Sequence, residues 1–461
     1  MVSERTRYRL YDFVRKYKRG IVIGPPGVGK SRLMTWCTVR EVSSNNNRVF
    51  IFSSPLRKLR DYIYYYFRDH GIDPFKLRAH DEVCVKLKER IEKGMDYITA
   101  LKEHLDYDTC SYYQHFEKLI EYIKDGGQVI VSTHRLGVFG WLFLKKKFRD
   151  KKITLIVDEG EDYFVTVSTP VTEDFLKTLK IIDKRIYRKF RSGLKKYRNF
   201  YFYQPLFVSK VIFHSFIISA TFPKTMMEVL VDEYDYPIYR LHGKKSKDTI
   251  IYYRGKLFWE KRSKWMDKFL SIVDQTVLRK RPVGVTVRNI EMGKEVVNYL
   301  LNSGWRVSYD CGNLHIDPHA DAWILTVGGK FYRGVSFKPL KGVIRRGGEE
   351  RYDFPVSLGT YQSGEQTYSY EDFPLNFPMI HPLLQSLIDD PWKYHGELRR
   401  GINVQSLFRF NRYRDEKHYV IVLDKRLFTS LHHFLENYVN TSRKIECTSL
   451  DEVMEVVRKF L

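Results

Sequence analysis

Cysteine is scarce in this chain of 461 residues. The five cysteines lie far apart, at positions 37, 84, 110, 311 and 447, and none belongs to a CxxC pair. An odd number of scattered cysteines disfavours a disulfide framework and is typical of proteins in a reducing compartment. We therefore expect an intracellular, cytoplasmic protein, or one of the host cytoplasm if the source is viral.

Long apolar runs are missing as well. No run approaches the roughly 20 residues of a membrane-spanning helix, and the N-terminal stretch MVSERTRYRLYDF is charged and lacks the apolar core of a signal peptide. Internal repeats and long low-complexity tracts are also absent from the sequence. These absences favour a soluble globular protein with no membrane partner.

Acidic residues are outnumbered by basic ones. Lys and Arg total 79 against 55 Asp and Glu, which gives a net charge of +24. This balance favours a polyanionic partner such as nucleic acid, and a merely soluble basic protein is the alternative. Aromatic residues reach 15% of the chain, and exposed rings can stack on bases. Because attraction to phosphate is independent of base sequence, composition does not separate DNA from RNA.

Two series of short apolar runs predict the fold. Apolar runs that alternate with helix-like stretches are typical of doubly wound parallel sheets, and a chain of this length suits two domains. The predicted fold class is therefore α/β, with two tandem parallel-sheet domains and accessory helical insertions. The runs lie at 20–24, 48–54, 128–133, 152–159 and 211–221, and then at 281–287, 305–310, 322–327 and 418–424.

The domain limits follow from the same pattern. We expect the first domain at 1–235 and the second at 250–461, joined by a stretch of low periodicity near 235–255. The expected insertions lie at about 57–125 and 165–205, both helical, and at about 340–400, which is rich in Gly, Pro and aromatic residues; helices are also expected at 173–198, 290–302 and 428–440.

A glycine-rich segment follows the first predicted strand. It reads GPPGVGKS and fits GxxxxGK[ST], between a strand and a helix. In such a loop the backbone N–H groups and the helix N-terminus cradle phosphates. We expect Lys30 to reach the β- and γ-phosphates of ATP and Ser31 to hold Mg²⁺. The expected nucleotide-binding residues are Gly24, Gly27, Val28, Gly29, Lys30 and Ser31.

Two carboxylates, Asp158 and Glu159, end the predicted strand 152–159. The C-terminal tip of a buried parallel strand faces the ligand crevice of the sheet. Asp158 could therefore hold Mg²⁺ together with Ser31, and Glu159 could orient and deprotonate an attacking water. An ordinary acidic turn is the alternative.

Polar residues at two further places complete the predicted site. Ser219 and Thr221, in the tripeptide SAT, follow an apolar strand and could sense the nucleotide. The segment QSLFRFNR contains Gln405 with Arg409 and Arg412, whose spacing of three places them on one helix face. Either arginine could stabilise charge on the γ-phosphate. A solvated basic face is the alternative for these arginines.

In their order along the chain, these elements resemble the motifs of a superfamily 2 helicase, and in particular the XPD/DinG branch. Phe408 stands where the motif VI glycine is usual, and Arg333 and Ser336 replace the acidic residues of motif V. GPPGVGKS resembles motif I, SSPLR (53–57) motif Ia, STHRL (132–136) motif Ib, DEGE (158–161) motif II, SAT motif III, residues 326–337 motif V and QSLFRFNR motif VI.

The resemblance implies two RecA-like domains that bind ATP and Mg²⁺ between them. It implies catalytic roles for Gln405, Arg409 and Arg412 beside Lys30, Asp158 and Glu159, and it implies single-stranded or forked DNA as partner, with 5′ to 3′ movement; RNA stays possible. We expect a monomer. By motif position the nucleic-acid contacts would be Arg57, Thr133, His134, Thr286 and Arg288, and the coupling residues Ser219, Thr221 and Gly334.

The insertions carry two further patterns. Basic and aromatic residues interleave over 175–203, which suits contact with a single strand, although a helix with a merely solvated basic face is the alternative. The four iron–sulfur cysteines of the XPD branch are missing. The pairs His80/Cys84 and Cys110/His115 could hold zinc, but four ordinary residues are the preferred interpretation.

Two other functions fit parts of the sequence. A P-loop motor of another class, such as a ring ATPase or packaging motor, would have a single nucleotide-binding domain. A helicase-derived protein that binds nucleic acid without productive turnover would fit the altered motif V. An ATP-dependent nucleic-acid helicase or translocase fits the whole set of motifs and is the predicted function.

Overall fold

A computed structural model gives the fold of part of the chain. The described residues are 3–25, 28–45, 47–94, 111–160, 165–167, 169–171, 180, 188, 194–197, 200–203, 214–242, 247–255, 265–287, 289–311, 313–317, 319–326, 343–346, 349–352, 356–359, 378–380, 397, 400–401, 404–405, 407, 418–425, 427–429 and 440–461.

The first half of the chain builds a seven-stranded parallel sheet. Its central strands are short, continuous runs of β-branched and aromatic residues, which is the composition of strands buried on both faces. In spatial order the strands are β11 (Ile238–Arg240), β1 (Gly20–Ile23), β10 (Ser215–Ser219), β5 (Lys152–Asp158), β2 (Arg48–Ser54), β4 (Val129–Thr133) and β3 (Phe75–Lys76).

Helices cover both faces of this sheet and bury two apolar cores. One core contains helices Glu4–Lys16, Lys30–Ser44 and Arg57–Asp69. The opposite core contains helices Ser111–Lys124, His134–Lys147 and Lys224–Asp232. Shorter helices lie at His80–Val83 and Val85–Glu92. Within the described ranges, no helix combines the length and apolarity that crossing a bilayer requires.

The second half builds an eight-stranded sheet. All of its pairings are parallel except that of β14 with β15. In spatial order the strands are β15 (Asn313–His315), β14 (Val307–Cys311), β16 (Ala322–Thr326), β13 (Val283–Val287), β19 (Val356–Gly359), β21 (His418–Val422), β12 (Lys247–Tyr253) and β22 (Asn440–Cys447). Helices Met266–Arg279, Ile290–Asn302 and Leu450–Phe460 cover one face, and Val404, Leu407 and Leu427 pack on the other.

Three small antiparallel sheets complete the described structure. The strand β6 (Val165–Val167) pairs with β20 (Pro378–Ile380), so segments from the two halves of the chain meet there. In the second of these small sheets, β9 (Phe200–Tyr203) lies between β7 (Thr169–Val171) and β8 (Leu194–Tyr197). In the third, β17 (Val343–Arg346) pairs with β18 (Glu349–Tyr352).

The predicted fold class is confirmed, because two parallel α/β sheets follow one another along the chain. Two details of the predicted organisation are wrong. The stretch 235–255 is not a plain link, since β11 belongs to the first sheet and β12 to the second. A division between 240 and 247 therefore fits better than the limits 235 and 250.

The predicted insertions also need correction. Residues 340–400 contribute β19 to the interior of the second sheet, between β13 and β21. The helix expected at 173–198 fails at its end, because 194–197 form β8, which pairs with the aromatic strand β9 (FYFY). The helix expected at 428–440 lies mostly outside the described residues, and residue 440 already begins β22. The helix at 290–302 is confirmed.

The histidines of the possible zinc pattern have other partners. The His80 ring stacks on Tyr112 with centroids 4.5 Å apart. His115 accepts a hydrogen bond at Nε2 from the Arg78 backbone N–H at 3.1 Å and makes a second bond to the Lys76 backbone. Zinc ligation by His115 would have to displace one of these bonds. Cys110 lies outside the described residues, among which no group of three or more His, Cys, Asp or Glu is placed to hold a metal ion.

Burial, together with the nearby positive charge of Arg78, lowers the pKa of His115 to about 4. Since its ordinary pKa is about 6.5, the unfolded chain takes up a proton between pH 6.5 and 4 that the folded chain does not. The contribution of His115 to the free energy of unfolding is therefore full above pH 6.5 and is lost as the pH falls towards 4. We predict that wild type loses more stability over this window than His115→Gln, as measured by urea unfolding at both pH values.

The matched control for this comparison is His70→Gln, since His70 is exposed. This control should lose as much stability as wild type. Equal losses in His115→Gln and wild type would contradict the burial of a neutral imidazole at His115.

Candidate functional site

The glycine-rich loop joins β1 to the helix Lys30–Ser44. Gly29 precedes the helix with φ of 85°, in the left-handed region that glycine adopts at no steric cost. Lys30 folds back over the loop, and its Nζ donates to the carbonyl oxygens of Gly24 and Pro25 at 2.9 and 3.1 Å. The Lys30 ammonium group and the N-terminus of the helix thus both lie at the glycine-rich loop, and this arrangement binds phosphate.

The loop is also tied to a neighbouring strand. The Gly24 N–H donates to the Ser219 carbonyl at the end of β10, at 3.3 Å, and the Val28 N–H donates to Pro25 at 3.3 Å. Gly27 lies outside the described residues. The start of the phosphate-binding segment and the tripeptide SAT therefore share a direct backbone contact.

The helix that follows the loop reaches the end of β5. Ser31 Oγ donates to Asp158 Oδ1 at 2.7 Å, although 127 positions separate the two residues in sequence. Asp158 is buried, with 2% of its surface exposed. A hydroxyl and a carboxylate are the oxygen ligands that Mg²⁺ takes in proteins. The pair predicted from the sequence is thus brought together, and its donors fit a magnesium ion.

A tight turn after β5 directs the second carboxylate. Glu159 has φ of 53°, a left-handed conformation that costs a non-glycine residue about 1–2 kcal/mol. The Nε2 of His134, at the tip of β4, is 2.8 Å from the carbonyl oxygen of Asp158, so the ring N–H donates to it. This bond holds the backbone immediately before the turn and helps to fix where Glu159 points.

The amide of Gln405 joins the two halves of the chain at this turn. Its Nε2 donates to Thr221 Oγ1 at 2.8 Å and approaches Glu159 Oε2 at 3.2 Å. Ser219 supports the same corner, because its Oγ accepts from the Thr221 backbone N–H at 3.0 Å. Elements that resemble motifs II, III and VI therefore meet within hydrogen-bond distance.

The residues expected to contact nucleic acid have mixed surroundings. Arg57 is half exposed, and its Nη2 donates to both carboxylate oxygens of Asp81 at 2.8 and 2.7 Å. Thr133 is half-buried at the tip of β4, beside Ser54 at the tip of β2. Thr286 is only 2% exposed inside β13. The expected side-chain contact at Thr286 is therefore not available in this conformation, because its strand directs the side chain into the interior.

Five of the predicted site residues lie outside the described part of the chain, namely Gly27, Arg288, Gly334, Arg409 and Arg412.

Two residues beside Gln405 went unnoticed in the sequence. Glu397 is 3% exposed and accepts hydrogen bonds from Thr225, in the first helix after SAT. Gly401 lies against Thr221. The only available signal was the spacing, since Glu397 precedes Gly401 by four residues and Gly401 precedes Gln405 by four, which places all three on one helix face if the segment is helical.

Comparisons with known proteins show a similarity in fold. Neither a family model nor a curated protein matches the sequence. Among solved structures, an XPD helicase shares 14% identity with this chain and a TM-score of 0.57, and the match covers 97% of this chain and 100% of that one. Xpd4 of S. tokodaii shares 11% identity and a TM-score of 0.55, over 97% of this chain and 100% of that one. The predicted resemblance in fold is thus confirmed, since this chain has two tandem RecA-like sheets and is similar in fold to these XPD structures.

Proposed function

We propose that this protein is an ATP-dependent helicase or translocase that acts on single-stranded or forked DNA. The observation that carries the proposal is the placement of Gln405. An amide from the second half of the chain lies between Glu159 and Thr221, at the edge where the phosphate-binding loop and Asp158 meet. Hydrolysis at this edge can therefore respond to the position of the second sheet.

Each residue has a role that its contacts support. Lys30 would exchange its loop carbonyls for the β- and γ-phosphate oxygens of ATP. Ser31 and Asp158 would hold Mg²⁺, which neutralises charge on the phosphates. Glu159 would orient the attacking water and accept its proton, while Gln405 fixes the Glu159 carboxylate. Arg409 and Arg412, four and seven positions after Gln405 in sequence, remain predicted γ-phosphate ligands.

Movement along a strand would follow from closure and opening of the two sheets. ATP binding would strengthen the contact of Gln405 with Glu159, and product release would weaken it without separating the two elements. The tips of β2 and β4, with Arg57, Thr133 and His134, would track the phosphate backbone. The choice of DNA and the 5′ to 3′ direction follow from likeness to the XPD type, and RNA is the alternative partner.

Each of the two alternative functions leaves a feature of the structure unexplained. A ring motor with one nucleotide-binding domain leaves the second RecA-like sheet without a purpose. A protein that binds nucleic acid without turnover would leave Lys30, Ser31, Asp158 and Gln405 without a chemical role. The hydrolysis assay below separates the proposal from the second rival.

The first prediction concerns Lys30. Wild type should hydrolyse ATP faster when single-stranded DNA is added, and Lys30→Ala should lower this rate at least about 100-fold, because a positioned charge on the transferring phosphate is lost. The measurement is steady-state phosphate release with and without a DNA oligonucleotide, and with an RNA oligonucleotide of the same sequence.

Lys118→Ala is the control, since Lys118 is exposed on a helix remote in sequence from the loop, and it should match wild type. If wild type and Lys30→Ala both fail to hydrolyse ATP yet still bind DNA, the motor assignment fails and the binding protein is favoured.

The second prediction concerns Arg57, whose charge is shared with Asp81. If Arg57 contacts a phosphate of a single strand, Arg57→Ala should make the salt dependence of binding shallower by about 0.7 in the slope of log K against log salt. Asp81→Asn should tighten binding, because it removes the charge of one of the two carboxylates, Asp81 and Glu82, that pair with the guanidinium. Fluorescence anisotropy with labelled DNA at several salt concentrations measures both effects.

Arg68→Ala is the matched control, since Arg68 is half exposed at the other end of the same helix. An unchanged slope in Arg57→Ala, equal to that of Arg68→Ala, would remove Arg57 from the nucleic-acid surface.

A further inference from the structure

Three helical residues between positions 397 and 405 contact the first half of the chain. Glu397, Gly401 and Gln405 are helical and four positions apart, so they lie on one face. Glu397 contacts Thr225, while Gly401 and Gln405 contact Thr221. Val404 and Leu407 of the same segment pack into the core of the second sheet. The segment therefore joins the second sheet to the residues that follow β10.

The buried Glu397 side chain caps the N-terminus of a helix that is distant from it in sequence. Glu397 is 3% exposed. One carboxylate oxygen accepts from the Thr225 backbone N–H at 2.9 Å, and the other accepts from Thr225 Oγ1 at 3.0 Å. Thr225 is the second residue of the helix Lys224–Asp232, which follows Pro223, and proline has no side-chain oxygen to cap a helix. A carboxylate at a helix N-terminus is favoured by the helix dipole and makes charge-assisted hydrogen bonds.

The contact of Gly401 sets how closely the two elements approach. A Cβ added at Gly401 would lie 3.0 Å from Thr221 Oγ1 and 3.1 Å from both the Cβ and the carbonyl oxygen of Thr221. One of these neighbours is backbone and yields little. A side chain at position 401 would therefore push the segment away from Thr221, and with it the amide of Gln405 one turn further on.

We propose that Glu397 and Gly401 are positioning residues, and that their contacts with Thr225 and Thr221 form a latch that holds Gln405 against Glu159. The proposal rests on the proposed function for its effect on hydrolysis. The latch acts on the catalytic step through Gln405 and leaves the phosphate-binding loop untouched. Breaking it should lower kcat at saturating DNA without changing the KM for ATP.

Paired variants at Thr225 test the latch with little change in volume. Thr225→Ser keeps both hydrogen bonds and should behave like wild type. Thr225→Val removes only the hydroxyl and should lower the DNA-stimulated kcat about five- to tenfold, with the KM for ATP within twofold of wild type. Glu397→Ala should lower kcat at least as far, and adding Thr225→Val to it should change little, since both remove one interaction.

Glu228→Ala is the matched control. Glu228 lies on the same helix as Thr225, half exposed and paired with Lys224, so its loss should leave kcat unchanged. Gly401→Ala provides an independent route to the same defect, and it should lower kcat with the KM for ATP unchanged.

Hydrogen exchange measured by mass spectrometry gives a readout that needs no turnover. The peptide covering 224–232 in the full chain, without nucleotide, should exchange faster in Glu397→Ala than in wild type or Glu228→Ala, because the Thr225 N–H loses its acceptor. This result supports the latch even if wild type proves inactive, in which case only the proposed function fails. Unchanged exchange in Glu397→Ala, or wild-type kcat in both Thr225→Val and Glu397→Ala, overturns the latch.

Discussion

The amide of Gln405 must lie within hydrogen-bond distance of Glu159 and Thr221, and the chemistry proposed for this protein depends on that placement. The two acceptors stand near the tips of β5 and β10, which are neighbours in the first sheet. Parallel strands end at one edge, so a sheet of this kind brings residues distant in sequence to a common line. The same edge receives Ser31 from the helix after β1, which bonds to Asp158. The second sheet reaches this edge through the segment that bears Gln405.

Much of the fold could be predicted from local patterns. The strands β1, β2, β4, β5, β10, β13 and β16 are continuous apolar runs, and such runs report burial on both faces whatever surrounds them. Two of the strands that were missed have weaker patterns, whereas β12, which reads KDTIIYY, was missed in spite of its apolar run. β11 has only three residues, and β19 reads VSLG inside a stretch rich in Gly and Pro. Their strand identity comes from pairing with neighbours, which no local pattern reports.

The residues of the candidate site also fall into those that the sequence predicts and those that it does not. Lys30, Ser31, Asp158 and Glu159 could be chosen because a motif or a strand end fixes their place. Thr286 could not be judged from its motif position alone, because all five residues of β13 are buried and neither face of this strand is exposed. Glu397 could not be found, since its partner Thr225 is 172 positions away and no known spacing connects them. Contacts between two packed sheets depend on the docking of whole elements, and the sequence of either element alone does not encode that geometry.

The most direct measurement is ATP hydrolysis by Gln405→Ala at saturating ATP and single-stranded DNA, beside wild type and the exposed control Gln114→Ala. We predict that kcat falls about 100-fold in Gln405→Ala with the KM for ATP unchanged, because the Glu159 carboxylate loses the amide that orients it towards the attacking water. Gln114→Ala should match wild type. Wild-type hydrolysis by Gln405→Ala would contradict the claim that the second sheet controls the chemistry at the edge of the first.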